Sequence, residues 1–225
     1  MNKTFTQLLL LAIVCIAGYW LLQPDSEQSP PPQSMPLPWE IETHADGTSS
    51  VFGLQLETTT VAAALQLLGE DHELGIISDQ QDRSGLEIYY SHFKTGPLKA
   101  KLILGVAAEQ AELEKMQAAA SVASYTSSGS RKFLLNESDL ARIQQWPIAS
   151  VTLIPAAQLD TDTIVARFGP PAKQVVVDDE ETHFLYPEKG LDITHNSEAK
   201  ELMQYVAPRS FEKLLLPLNS AVVQP

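Results

Sequence analysis

The chain has 225 residues, 44 % of them hydrophobic and 19 % charged, enough for one domain of comfortable size or two small ones. Its formal net charge is −13, from 15 basic and 28 acidic residues. A surface that acidic repels the phosphates of nucleic acids and anionic lipid headgroups, so no nucleic acid is expected as a partner. The one cysteine, Cys15, excludes an internal disulfide and a thiolate metal cluster.

The N-terminus, "MNKTFTQLLLLAIVCIAGYWLL", has a lone Lys3 and then an uncharged, mostly apolar run from Phe5 to Leu22. As a helix that run is roughly 27 Å long, close to the hydrocarbon thickness of a bilayer. Tyr19 and Trp20 stand near its far end, where amphipathic rings favour the interface. Residues 1–22 are therefore expected to be a transmembrane anchor, entering the inner membrane through residues 5–22. Lys3 on the near side, with Asp25 and Glu27 beyond, places the N-terminus in the cytoplasm and the remainder in the periplasm. A cleaved signal peptide breaking after Ala17 is the rival, but Tyr19 to Leu22 prolong the apolar run past that point. Val14 ahead of Cys15 does not suit a lipid-attachment box, which wants a small residue there.

Residues 23–38, within "QPDSEQSPPPQSMPLPW", are too proline-dense for helix or sheet ladders and are expected to be a spacer. Fully extended, the spacer would reach on the order of 50 Å. Beyond it the chain carries a weak internal repeat, expected as units over 39–128 and 129–216, with 217–225 a tail. Each copy opens on a short apolar strand and a Thr- or Asp-rich helix start. The helices close at Gly69 and Gly169, and strand-like runs follow. Pro170 and Pro171 prevent continuation of the second helix. In the second copy Phe184, Tyr186, Leu191 and Ile193 alternate with polar residues around a Pro187–Gly190 turn. In the first, Leu86, Ile88 and Tyr90 precede a turn at Thr95-Gly96-Pro97, and Leu98, Ala100 and Leu102 return. Between the copies, Val106–Ala120 and Asn136–Trp146 read as helices, and Tyr125–Ser130 as a loop.

The fold class predicted is α+β: two tandem repeats, each a helix packed on a small antiparallel β-meander, behind an N-terminal transmembrane helix. Through "LLG", "RFGPP", "LEIYY…GPLKAKL" and "HFLYPEKGLDI" the chain resembles one superfamily, over roughly 100 residues by self-alignment. That superfamily holds the small outer-membrane-assembly lipoproteins (BamE-like) and the tandem-repeat β-lactamase inhibitor proteins. It is similar, too, to proteobacterial envelope proteins with an N-terminal anchor. The resemblance implies a non-enzymatic envelope protein that binds another protein. Two departures stand out: there is no lipid-attachment cysteine, and two copies replace the single unit of the assembly lipoproteins.

The residue types that could carry chemistry concentrate in Asp178–His195. Pairing across the turn puts Tyr186 opposite Leu191, Phe184 opposite Ile193, His183 opposite Thr194 and Thr182 opposite His195. His183 and His195 then point to opposite faces and cannot share a metal ion. Asp178–Glu181 lacks the glycine-bearing spacing of a calcium loop and reads as a solvated, edge-protecting run, as does Glu70–Glu73. No Gly-x-Ser-x-Gly elbow, phosphate loop, zinc motif or dinucleotide fingerprint is present, and Ser127–Arg131 sits in a boundary loop. His44, His72 and His92 stand alone in sequence. No cofactor, metal or catalytic residue is assigned. Tyr89 and Phe93 are the candidate partner contacts, provided they face solvent. The alternative is an envelope hydrolase or small-ligand-binding protein using Asp178–His195.

Overall fold

Eight-residue helices begin and end the same way at two places in the chain. In α1 (Val61–Leu68), the Thr60 hydroxyl accepts from the Ala63 N–H, and Gly69 closes the helix at φ 91°. In α4 (Thr161–Phe168), the Asp160 carboxylate accepts from the Thr163 N–H, and Gly169 closes at φ 84°. Each helix leads into an antiparallel meander: β4 (Glu73–Ser78), β5 (Ser84–Thr95) and β6 (Leu98–Val106) after α1, and β10 (Lys173–Val176), β11 (Glu181–Tyr186) and β12 (Leu191–Asn196) after α4. The Tyr90 hydroxyl donates to the Gly69 carbonyl at 3.2 Å, and the Tyr186 hydroxyl donates to the Gly169 carbonyl at 3.0 Å. Burial pushes the Tyr90 hydroxyl up to about 12 and raises Tyr186 as well, so both remain donors at neutral pH.

The computed structural model describes residues 35–79, 83–120, 122–125 and 129–221. The expected anchor and the spacer as far as residue 34 lie outside them. Among the described residues the protein is α+β, with five α-helices and antiparallel strand pairing throughout. No helix among them is long and apolar enough to cross a membrane.

One sheet of ten strands collects both meanders, with β13 (Leu202–Val206), β9 (Ile148–Pro155) and the hairpin of β7 (Val122–Tyr125) and β8 (Arg131–Leu134). The order is β10-β11-β12-β13-β9-β6-β5-β4-β8-β7. Its register sorts the side chains into two faces. Leu74, Ile88, Leu104, Val151, Tyr205, Leu191 and Tyr186 stand opposite one another in sequence across seven strands, an apolar row on the inner face. The corresponding outer row is Glu73, Tyr89, Ile103, Thr152, Gln204, Asp192, Leu185 and Lys173.

The inner face is closed by α1 and α4, by α2 (Gln110–Ala119), through Leu113 and Met116, and by α3 (Glu137–Ile143), through Ile143. A three-stranded sheet of β1 (Glu42–Thr43), β2 (Ser49–Val51) and β3 (Leu54–Gln55) completes the cover. Between β2 and β3, Phe52 and Gly53 take φ 53° and 76°, the left-handed pair that turns a two-residue hairpin. A phenylalanine in that conformation costs about 1–2 kcal/mol. Its ring offsets the cost: it is fully buried and meets Phe93 and Tyr205 edge-on at 5.2 and 5.9 Å.

Several boundaries differ from the sequence reading. The helix expected over Val106–Ala120 starts at Gln110, because Val106 is still paired with Ile148 in the sheet. The helix expected over Asn136–Trp146 is capped by Asn136, whose side-chain oxygen accepts from the Asp139 N–H, but it ends at Ile143 in a turn closed by Trp146. Tyr125 ends a strand rather than opening a loop. The last four spacer residues belong to the head: Thr95 donates to the carbonyls of Met35 and Pro36, and Tyr205 to that of Pro38. Of the expected tail, residues 217–221 belong to a helix, α5 (Glu212–Ala221), whose Leu214, Leu215 and Leu218 pack with Leu185, Val206 and Phe211 on the outer face, and residues 222–225 lie outside the described residues.

Gly190 follows the Pro187–Lys189 turn at φ 66°, and a β-carbon there would stand 1.9 Å from the Val206 carbonyl oxygen. Main chain cannot yield as a side-chain tip does. Gly190→Ala should therefore lower stability by at least about 2 kcal/mol, from left-handed strain and displacement of β13. Chemical denaturation reads this directly, and an unchanged midpoint would contradict the geometry.

Candidate functional site

The β11–β12 hairpin pairs in the register its turn dictates: Tyr186 with Leu191, Phe184 with Ile193, His183 with Thr194 and Thr182 with His195. Its two histidines consequently occupy opposite faces. The acidic run before it is built as a turn. Asp178 accepts from the N–H groups of Glu180 and Glu181 at 2.9 and 2.8 Å, and Asp179 and Glu180 are exposed.

On the outer face His183 is 7 % exposed and lies against Asp192, 1 % exposed. Its Nδ1 is 2.8 and 3.1 Å from the two Asp192 carboxylate oxygens. Nε2 is 3.3 Å from Glu181 Oε1, and Asn196 donates to the other oxygen of that carboxylate at 3.4 Å. The Thr194 hydroxyl, at 3.4 Å, faces Nδ1, the nitrogen already held by Asp192. In a nucleophile-activating triad the base uses the nitrogen remote from its carboxylate; here Glu181 takes that position. The arrangement sets the imidazole between two carboxylates, which favours its protonated form. Burial alone would push the His183 pKa down, but the hydrogen bond and charge of Asp192, then those of Glu181, outweigh it and raise the pKa above its ordinary value.

On the inner face His195 is held differently. Its Nδ1 stands 3.6 Å from Oε1 of Glu201, a carboxylate with no exposed surface. The remaining histidines are dispersed. His44 Nε2 is 2.7 Å from the Ser50 hydroxyl, His92 Nδ1 is 2.8 Å from the Ser91 hydroxyl, and the His72 ring lies 5.6 Å from that of Tyr90. Glu73, of the other acidic run, pairs with Lys132. Among the described residues, no three His, Cys, Asp or Glu side chains gather as a metal site. Ser127 and Ser128 lie outside the described residues.

Tyr89 and Phe93 part company. Phe93 does not face solvent: the irregularity between Tyr90 and Phe93 in β5 returns it to the inner face, where it is 7 % exposed against Phe52. Tyr89 is half-buried on the outer face, opposite Ile103. Around it Ile77, Ile103, Ile154 and Leu202 are also half-buried, and none belongs to either hydrophobic cluster of the core. The outer face is thus divided: α5 covers Leu185 and Val206 at one end, and an apolar strip along β4, β5, β6, β9 and β13 has no helix over it among the described residues.

The His183–Asp192 pair was within reach of sequence reasoning. Once His183 is set opposite Thr194, Asp192 must fall opposite Leu185, on the same face as His183 and one diagonal step away. The uncovered strip was less accessible, because it requires knowing that β9 joins β6 to β13.

No protein-family model, curated protein or solved structure matches the chain.

Because the folded-state pKa of His183 is raised, its contribution to stability is complete below the unfolded-state value of about 6.5 and is lost as pH rises through the folded-state value. Denaturation curves taken upward from about pH 6 should show this decline in the native protein. The His183→Gln variant should be less stable at the acidic end and should show a flatter profile. An undiminished slope in the variant would assign the pH dependence elsewhere.

Proposed function

We propose that the protein is a non-enzymatic, membrane-tethered envelope protein whose head binds another protein through the open part of its outer sheet face. The observation that carries this reading is the strip of Tyr89, Ile103, Ile154 and Leu202, partly exposed beside a closed inner core. Contiguous apolar surface on a folded head is characteristic of interaction sites, and sheet faces and edges recur as peptide-docking surfaces.

The apolar run Phe5–Leu22 supports a single-pass inner-membrane anchor with the head on the periplasmic side. The repeated construction of cap, helix, closing glycine and Tyr-to-Gly hydrogen bond supports two tandem copies of one helix-and-meander unit. With the motifs that carry the family resemblance, it favours kinship with the BamE-like and β-lactamase-inhibitor-like superfamily, whose folds serve recognition. Tyr89 is the contact residue on this reading.

Site-specific photocrosslinking in cells distinguishes the faces. A photoreactive phenylalanine analogue at position 89 or 103 should give one discrete adduct, the same protein from both sites. At Ala63 and Ala166, exposed on α1 and α4, it should give none. Equal labelling at all four positions, or none at any, would overturn the assignment. A second test addresses the two copies. Tyr90→Phe and Tyr186→Phe each remove one hydroxyl donor from a helix-closing carbonyl and should each cost about 1 kcal/mol. Unequal costs, with one variant neutral, would show that the two bonds do not do the same job.

A further inference from the structure

At the hairpin end of the outer face, β5, β6, β9 and the segment before β13 enclose a groove of about 350 Å³, within the range of small-molecule sites. Lys94, Lys99, Lys101 and Lys200 line it, together with His92. These are four of only 15 basic residues in a chain of net charge −13. Among the described residues no acidic side chain lines the groove.

Five of the eleven other basic residues sit in ion pairs among the described residues, while Arg167 lies over the Trp39 ring and Lys189 donates to the Phe168 carbonyl. Arg83, Lys115, Lys132, Arg142 and Arg209 each pair with a carboxylate, whereas Lys94, Lys99 and Lys101 make no ion pair among the described residues. Lys200 donates to the Ala156 carbonyl at 2.6 Å, which holds its ammonium at the rim.

Lys94 and Lys99 stand directly opposite each other in the β5–β6 ladder. Like charges in that relation destabilise a sheet. Lysines at a sheet edge are commonly explained as protection against edge-to-edge pairing. That explanation covers Lys94, because β4 pairs with β5 only as far as Tyr89, but not Lys99 and Lys101, whose strand β6 lies between β5 and β9. The bulge that places Ser91 and His92 beside the groove is a feature that re-aims side chains near sites. Beneath the ammonium groups the lining is apolar, with Ile154, Pro155 and Ala156.

We propose that this groove binds a phosphate-bearing ligand. Its anionic end is held by Lys94, Lys99 and Lys101, and its apolar part rests over Ile154 and Pro155. Several unopposed ammonium charges in one place call for a ligand with more than one negative charge, and a phosphate monoester carries close to two at neutral pH. The net charge argues against phosphates only on average; the groove reverses the sign locally. A soluble phosphate ester and a lipid headgroup share this chemistry. The site does not depend on the protein-binding role of the apolar strip.

The test is calorimetric titration of the full chain, in a non-ionic detergent, with inorganic pyrophosphate, dihexanoyl phosphatidic acid and dihexanoyl phosphatidylcholine. Pyrophosphate or phosphatidic acid should bind, with affinity that falls as salt is added, and phosphatidylcholine should not. The double variant Lys94→Gln/Lys101→Gln should bind at least about tenfold more weakly, with a melting temperature equal to or above that of the native chain, because relief of the Lys94–Lys99 repulsion favours the fold. Lys115→Gln, on the surface of α2, should leave binding intact. Binding of pyrophosphate alone identifies a soluble phosphate ester, and tighter binding of phosphatidic acid identifies a lipid headgroup; either supports the site. Failure of both ligands to bind, or equal binding by the double variant, would overturn it.

Discussion

The antiparallel pairing of β6 with β9 is the constraint on which the rest of the structure depends. Seven residue pairs, from Ala100 opposite Pro155 to Val106 opposite Ile148, join the strands that follow α1 to those around α4. Without this seam there would be two small meanders, each with too few strands and too little core to stand securely. With it, Leu102 and Leu104 lie at the centre of a continuous apolar layer, flanked by Leu153 and Val151, and all four are buried. Each such side chain contributes about 1.5–3 kcal/mol on burial, so the seam carries a large part of the cohesion between halves. It also fixes which residues share a face across the whole sheet, since a one-residue slip would send the inner row outward.

Local structure was legible in the sequence because its determinants are local. Thr60 and Asp160 cap as hydroxyl and carboxylate groups do at helix starts, and Gly69 and Gly169 close the helices with positive φ. The β11–β12 register followed from four turn residues. What was hidden was non-local or locally ambiguous. Nothing near Val106 or Ile148 announces that they will pair. The run "LLLPLNS" contains Pro217 and lacks an evident start signal, so it reads as a tail. The outer-face cluster of Leu185, Val206 and Phe211 is what gives α5 a surface to fold against. Phe93 shows a third kind of difficulty. Simple alternation from Ile88 and Tyr90 sends it outward, and one extra residue in a bulge brings it back.

The candidate sites divide in the same way. The His183–Asp192 pair is a consequence of hairpin register, and hence of the sequence within a few residues. The lysine groove combines a legible part with an illegible one. Lys94 and Lys99 flank the Thr95–Pro97 turn and must face each other, and Lys101 alternates onto the same face. Lys200 arrives from a distant segment: its bond to Ala156 follows from β13 pairing with β9, and the seam between β9 and β6 brings both beside Lys99 and Lys101. Net charge, the first quantity read from any sequence, is blind to such a cluster because it sums over the whole surface.

The two ends of the outer face follow from opposite demands. At the β11–β12 end, Leu185 and Val206 point outward beside a histidine and an aspartate that are both buried, on a sheet whose other face is already filled by Phe184, Tyr186 and Ile193. Strands buried on both faces need a cover, and α5 supplies it. Exclusion of water there strengthens the attraction between His183 and its carboxylates, which raises the imidazole pKa despite its burial. At the β5–β6 hairpin end the outward residues are lysines, whose ammonium groups require water or a counter-anion. A second helix laid over them would have to desolvate four charges without a carboxylate to meet them. The lysine end of the face therefore stays open to solvent. A buried histidine–aspartate pair, an open apolar strip and a basic groove succeed one another across a single continuous sheet.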